Sequence, residues 1–273
     1  FLLPGNTGKL FKKYKPRTLF SLSYNYQKRP DYTRSIANFD FGYDWDISKK
    51  VRNILNPVDV NFVDIPFKTA AFDSVISGTS LENSYRPFFI AGSSNTIIIT
   101  DDKSSQTNRS FLWLSNIKLA GNLLQLYSSQ TNQAKSDDVY TLFNNNQFAQ
   151  FIKFDTDYRR YKIIDENSSF VFRVYSGIGI PYGNSSVLPF IEQFYSGGAN
   201  SLRAWQVRNL GPGTFTDSVS KYPNQLGDFK LEANIEYRFD LFWIIEAALF
   251  IDAGNIWNIT KDDERPEAIF KFN

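Results

Sequence analysis

The sequence contains no cysteine, no histidine and no methionine. Without cysteine there is no disulfide and no thiolate nucleophile, and without histidine as well there is no Cys/His zinc site. A Ser-His-Asp triad is excluded for the same reason. Long apolar runs are missing too. A membrane-spanning helix needs about 18 or more apolar residues in a row, and the richest stretch, Leu241 to Ile251, is broken by Glu246. Charge of either sign is nearly balanced, and a net charge of +2 gives no electrostatic reason to expect nucleic acid. The chain starts at Phe1 without a methionine or a signal peptide, so the expectation is a mature fragment, or the ordered part of something longer.

Aromatic residues are the excess. Phe, Tyr and Trp make up 17% of the chain, with 26 Phe, yet the mean hydropathy is −0.34. Many rings in a polar chain point to rings on a surface that water does not touch. A transmembrane β-barrel has this profile, with an apolar outer band, aromatic girdles and a polar lumen.

The alternation of side chains agrees. From Phe229 to Leu241 every odd position is apolar: Phe229, Leu231, Ala233, Ile235, Tyr237, Phe239, Leu241. Every even position is polar or charged: Lys230, Glu232, Asn234, Glu236, Arg238, Asp240. Successive side chains of a strand point to opposite faces, so this segment has one apolar and one ionic side. It is long for a globular strand of about five or six residues and ample for a membrane strand of about 9–11. Ile245 to Gly254 repeats the pattern after a short link, with Glu246, Phe250 and Asp252 on the polar side. Phe20 to Tyr26, Ala37 to Asp46, Phe148 to Tyr158 and Phe170 to Ile180 alternate as well, and Phe111 to Leu119 does so more weakly. An antiparallel soluble sandwich with one wet face is the competing reading; strand length and aromatic apolar faces count against it. Asn-, Ser- and Asp-rich stretches at residues 83–84, 100–108, 128–138 and 144–147 read as loops.

One connection is unusual. Residues 194–213 run Phe-Tyr-Ser-Gly-Gly-Ala-Asn-Ser-Leu-Arg-Ala-Trp-Gln-Val-Arg-Asn-Leu-Gly-Pro-Gly. An exposed loop is polar, but this one carries Leu202, Trp205, Val207 and Leu210 beside Arg203 and Arg208. Composition alone leaves two readings open: a segment folded back into a polar barrel, or a surface turn with incidental arginines.

The run Gly197-Gly198, Ser201-Leu202-Arg203-Ala204-Trp205, Gly211-Pro212 resembles the sixth-loop motif of the BamA/TamA superfamily, in which (Val/Ile/Leu)-Arg-Gly-(Phe/Tyr) follows Gly-Gly and precedes Gly-Pro. Ala233 to Arg238 resembles the family strand with an inward Glu, and Leu249 to Trp257 the family Phe-x-Asp-x-Gly-x-x-Trp strand. The loop wording, Leu210-Gly211-Pro212-Gly213, and Gln27 to Arg34 are most similar to the lipoprotein-type TamA relative, TamL. Ala204 departs from the usual Gly, which questions a tight backbone approach there, and Trp205 replaces Phe or Tyr.

The resemblance implies an all-β fold: an antiparallel transmembrane β-barrel, 16-stranded in the family, with a long extracellular loop folded into the lumen. Arg203 would pair with Glu236 and Asp252; the alternation by itself already puts both carboxylates on the polar face. The chain, residues 1–273, would be one incomplete barrel domain holding roughly ten to twelve membrane strands by the usual strand length, with POTRA domains and closing strands outside it. The implied location is the bacterial outer membrane, and the implied task is insertion or export of client proteins through a laterally opening barrel. The partners would be the bilayer and lipopolysaccharide, unfolded outer-membrane or exported clients, and a periplasmic or inner-membrane subunit. No catalytic residue, cofactor or metal is implied. A two-partner-secretion pore, a passive porin-like channel and a barrel enzyme are the alternatives. Asp44 with Asp46 reads as a weak cation candidate or as ordinary lumenal acids. Arg159-Arg160 reads as lying at headgroup level or near a turn. Gly177 with Gly179 reads as a strand bend or as room for the loop.

Overall fold

The computed structural model describes residues 16–77, 82–101, 109–131, 135–136, 139–142, 146–215, 225–259 and 265–271. Nine long strands form one antiparallel sheet: β1 (Arg17–Lys28), β2 (Tyr32–Asp46), β3 (Val51–Lys68), β4 (Phe88–Thr100), β5 (Arg109–Ala120), β9 (Phe151–Asp165), β10 (Ser168–Pro181), β11 (Phe229–Phe242) and β12 (Ile245–Trp257). Each pairs with its neighbour in that order. The strands run to 12–18 residues, well beyond the ~5–6 of globular strands. The connection between β5 and β9 adds a three-stranded patch of β6 (Lys135–Ser136), β7 (Val139–Leu142) and β8 (Asn146–Gln147). Helix α1 (Ala70–Ile76) follows β3, and α2 (Asn122–Gln130) follows β5.

Burial is inverted relative to a soluble sheet. Leu22 is 82% exposed and Ile251 72%, and Ile235, Leu249, Phe154 and Val174 are exposed as well. On the opposite face Asp44, Asp59, Lys118, Asp157, Lys230 and Glu232 are buried. Exposed apolar and covered ionic faces fit lipid outside and a lumen inside.

The two ends of the sheet differ. At one end the connections are residues 47–50, 101–108, 166–167 and 243–244; at the other they are 29–31, 69–87, 121–150 and 182–228. Short periplasmic turns and long extracellular loops are the barrel rule, so the second end is the extracellular one. The apolar clusters gather there. Phe88, Ile90, Ala120, Ala149, Phe151 and Leu188 form one. Tyr32, Phe72, Ile76 and Tyr85 form another, which seats α1, a helix capped by Thr69 accepting from the Phe72 N–H at 3.2 Å.

Several sequence expectations need correction. Nine long strands are found among the described residues, fewer than the ten to twelve expected. Ser128 to Gln130 belongs to α2 and is not loop. Phe148 lies before β9, fully buried, its backbone in an isolated bridge with Phe89 of β4 and not in the long strand. Of the two readings of Asp44, the ordinary lumenal acid agrees with its partner, Arg52, whose Nε lies 2.7 Å from the Asp44 carboxylate. Arg159 lies on the lumenal face, bonded to Asp157 at 2.9 Å and 3.0 Å.

Candidate functional site

The described residues of the connection between β10 and β11, 182–215 and 225–228, lie on the ionic face of the sheet. Its turns depend on glycine. Gly197 and Gly198 both have φ of +94°, and a Cβ on Gly197 would sit 2.1 Å from the Gln206 carbonyl oxygen. The Gly198 N–H donates to the Trp205 carbonyl at 2.8 Å, and the Arg208 N–H to the Ser196 carbonyl at 3.0 Å. These bonds close a tight turn with Ser201, Leu202 and Arg203 at its tip.

Arg203 is bidentate on Asp252 of β12: Nε lies 2.9 Å from one carboxylate oxygen and Nη2 2.7 Å from the other. Its backbone N–H adds a bond of 3.0 Å, and Nη1 donates to Glu236 of β11. The guanidinium carbon stands 3.7 Å from the centroid of the Phe250 ring. A planar guanidinium offers two edges to carboxylates and one face to a ring; all three are used. Hydrogen bonding to Asp252, opposed by burial and assisted by Glu236, holds the Arg203 pKa above its ordinary value. The group is a permanent cation.

Asn234 links the parts, donating 3.0 Å to the Ser201 carbonyl and 2.8 Å to Asp252. Glu232, two residues before it, is 0% exposed. It accepts from Ser196 at 2.7 Å and from Ser201, and pairs with Lys230 at 2.9 Å. Its position on the polar side of the alternation was the available signal for it. Leu202 is buried, whereas Ala204 and Trp205 are exposed, Trp205 at 48%. Ala204 is not among the residues with positive φ, so a methyl group fits where the family usually has Gly. Gly211 precedes Pro212 through a cis peptide. Next to them, Gly213 donates to the Ile256 carbonyl at 2.7 Å, and Asn255 donates to the Gly213 carbonyl at 2.7 Å. The Gly-Pro-Gly end is thereby tied to β12.

A second anchor lies 11 residues before Arg203. Glu192 takes a bond of 2.7 Å from Lys118 on β5 and one of 3.0 Å from Lys153 on β9, and Lys118 also meets Asp59 of β3 at 2.8 Å. Burial pushes the Glu192 carboxyl up, but Lys153 and Lys118 outweigh it and hold the pKa below its ordinary value. Sequence reasoning missed this residue, since a lone Glu among apolar loop residues carries no period. Gly177 and Gly179 of β10 make room for the loop: a Cβ there would fall 2.5 Å from the Phe194 ring and 2.5 Å from a Leu188 methyl group.

An apolar exterior, an ionic interior and a long loop pinned to that interior by paired charges define a transmembrane β-barrel of the outer-membrane type. The Omp85 superfamily domain matches residues 7–271, and the chain belongs to the Omp85 superfamily of bacterial outer-membrane proteins. Over 98 residues it is 33% identical to the outer membrane protein assembly factor BamA of Neisseria meningitidis serogroup B, a match covering 34% of this chain and 12% of that protein. Its fold is similar to that of BamA from Haemophilus ducreyi lacking POTRA domains 1-3, with a TM-score of 0.60 at 13% identity. That match covers 89% of this chain and 46% of the Haemophilus chain, so the chain spans less than half of either relative.

Proposed function

We propose that this barrel belongs to an assembly or translocation factor that helps client proteins enter or cross the outer membrane. The observation that carries the reading is the loop held to β11 and β12 through Arg203, Glu236 and Asp252. A loop pinned across the lumen narrows the path that passive diffusion would use. A factor that must keep its barrel in one working shape gains a latch. Backbone groups left unpaired in lipid are costly, so a client hairpin lowers its insertion barrier by pairing with a strand edge of the barrel. This work needs no catalytic residue and no cofactor. We read residues 1–273 as barrel, with POTRA domains and closing strands in other parts of a longer protein. Within the superfamily the loop wording points to the TamL branch.

The test is Arg203→Ala in the full-length protein, in cells depleted of wild type. The expected result is a barrel that still shows heat-modifiable gel mobility while the level of assembled outer-membrane proteins falls. If a single exported protein fails while general assembly continues, the dedicated secretion pore replaces the assembly reading. Normal assembly and export with a folded barrel would overturn the latch altogether.

A further inference from the structure

Among the described residues the lumenal cations Arg52, Lys118, Lys153, Arg159, Arg203 and Lys230 each pair with a carboxylate, and Arg34 and Arg208 do not. Arg34 leaves β2 near its extracellular end, and Arg208 leaves the loop at φ of +62°. Both guanidinium groups lie over the ring of Phe190, at 4.7 Å and 4.9 Å from its centroid, and Arg208 also lies 5.1 Å from that of Tyr195. The partner found for Arg34 is the Gln27 side-chain carbonyl, at 2.9 Å. Arg208 forms no ion pair among the described residues, and its Nε is buried with no hydrogen-bond acceptor. Burial first, and then the like charge of Arg34, lowers the Arg208 pKa.

The two arginines open into one pocket of about 550 Å³, lined also by Asn25, Gln27, Phe190 and Ile191. That volume falls within the range of about 300–1,000 Å³ usual for small-molecule sites. Stacking on an aromatic ring fixes a guanidinium plane and leaves its N–H edge free to donate. Two cations with no counter-charge among the described residues call for two negative charges. A carboxylate brings one; a phosphate monoester brings nearly two, with three acceptor oxygens. The apolar walls Phe190 and Ile191 suit a ligand that carries its phosphate on a larger body.

We infer that the pocket between β1, β2 and the lumenal loop is a binding site for a phosphate monoester, held by Arg34 and Arg208 with the Asn25 and Gln27 amides beside them. The monoester comes either from a lipid headgroup at the outer leaflet or from a soluble sugar phosphate. The site is separate from the Arg203 latch, so its failure would leave the assembly reading untouched.

The experiment uses the full-length protein in nanodiscs. One arm titrates glucose 1-phosphate by calorimetry. The other compares nanodiscs containing diphosphoryl lipid A with nanodiscs containing its dephosphorylated form, read by thermal shift. Wild type is expected to bind in at least one arm, and Arg34→Gln/Arg208→Gln to bind at least about tenfold more weakly, the cost of losing charge-assisted hydrogen bonds. Binding of glucose 1-phosphate assigns a soluble source; a phosphate-dependent shift in lipid A nanodiscs alone assigns the lipid. Heat-modifiable mobility checks that the double variant folds. If it does not, Arg34→Gln alone must weaken binding in the arm where wild type binds. No binding by wild type in either arm, or equal binding by the folded variant, overturns the site.

Discussion

Glu192 of the lumenal loop and Lys118 of β5 form a buried ion pair 2.7 Å long. Both side chains are almost wholly withdrawn from solvent, and Lys153 shares the same carboxylate at 3.0 Å. The loop is therefore fastened at two places: to β5 and β9 by an anion that it supplies, and to β11 and β12 by a cation. Opposite signs at the two anchors fix which part of the loop lies over which strands. An exchanged seating would put Glu192 against Glu236 and Asp252, and Arg203 against Lys118 and Lys153.

Glu192→Gln should loosen the first half of the loop without unfolding the barrel. Removing one member of a buried pair leaves its partners uncompensated and costs roughly 3 kcal/mol, somewhat less here because Asp59 still faces Lys118. Hydrogen exchange at residues 186–196 should speed up while β9 and β10 stay protected. Unchanged exchange would show that the anchor is ornamental.

The same pair gives a pH dependence of definite sign. The folded Glu192 pKa lies below its ordinary value of 4.5 because Lys153 and Lys118 overcome the effect of burial. A group with a depressed folded pKa contributes stability above its unfolded pKa, and this contribution is lost as pH falls through the folded value. Loop protection from protease should be flat from pH 7 down to the unfolded value and decline below it. The decline should vanish in Glu192→Gln. A loop that loosens between pH 7 and 5 would contradict this assignment.

At the other anchor, geometry and charge can be separated. Arg203→Lys keeps the cation but loses the two-pronged bond to Asp252 and the ring contact with Phe250. Arg203→Ala also leaves Glu236 and Asp252 facing each other without a cation between them, although Arg238 still bonds to Glu236. Loss of loop protection should rise from wild type through Lys to Ala, with a total near 3 kcal/mol. Adding Asp252→Asn to Arg203→Ala should recover part of it by removing like-charge repulsion. A double variant as weak as Arg203→Ala would show that repulsion contributes little.

The small residues of β10 can be tested by filling them. At Gly177 a Cβ would lie 2.5 Å from the buried Phe194 ring, so Gly177→Val should push the ring away and destabilise loop docking by roughly 1–3 kcal/mol. Gly177→Val with Phe194→Ala should exchange more slowly than Gly177→Val alone. Failure of that compensation would mean that the glycine serves the strand and not the loop.

What could be read from the sequence follows from the surroundings of each strand. Around β11 and β12 lipid faces one side and paired charges the other, so the residue types alternate without a break. The alternation alone thus puts Glu236, Asp252 and Phe250 on one face. In β3 the alternation inverts. Lumenal contacts use Arg52 and Asn56 before the irregularity, and Asp59 and Asn61 after it. The register slips by one residue between Asn56 and Asp59 against β4, and Pro57 lies in that gap. A period-2 reading sees two short fragments there. In β4, Ile97, Ile98 and Ile99 are consecutive, so the residue types do not alternate even though the strand does. The Glu192 anchor and the Arg34/Arg208 pocket were illegible for another reason. Each joins residues far apart in the chain, and no local period connects them.

The inverted burial also yields a prediction that separates membrane from water. Ile251 and Asp252 are neighbours on β12; the first is 72% exposed and the second meets Arg203. Ile251 is the seventh of the 13 residues in the strand, which puts it near the middle of the bilayer. An arginine on the lipid face at that depth costs roughly 2–4 kcal/mol, falling toward zero near the interfaces. Ile251→Arg should therefore lower the folded fraction in phospholipid vesicles strongly. Ile245→Arg, at the periplasmic end of the same strand, should lower it much less. On a sheet with its exposed face in water, both changes would be close to neutral. Equal stability of Ile251→Arg and wild type in urea titrations would put water, not lipid, against the apolar face.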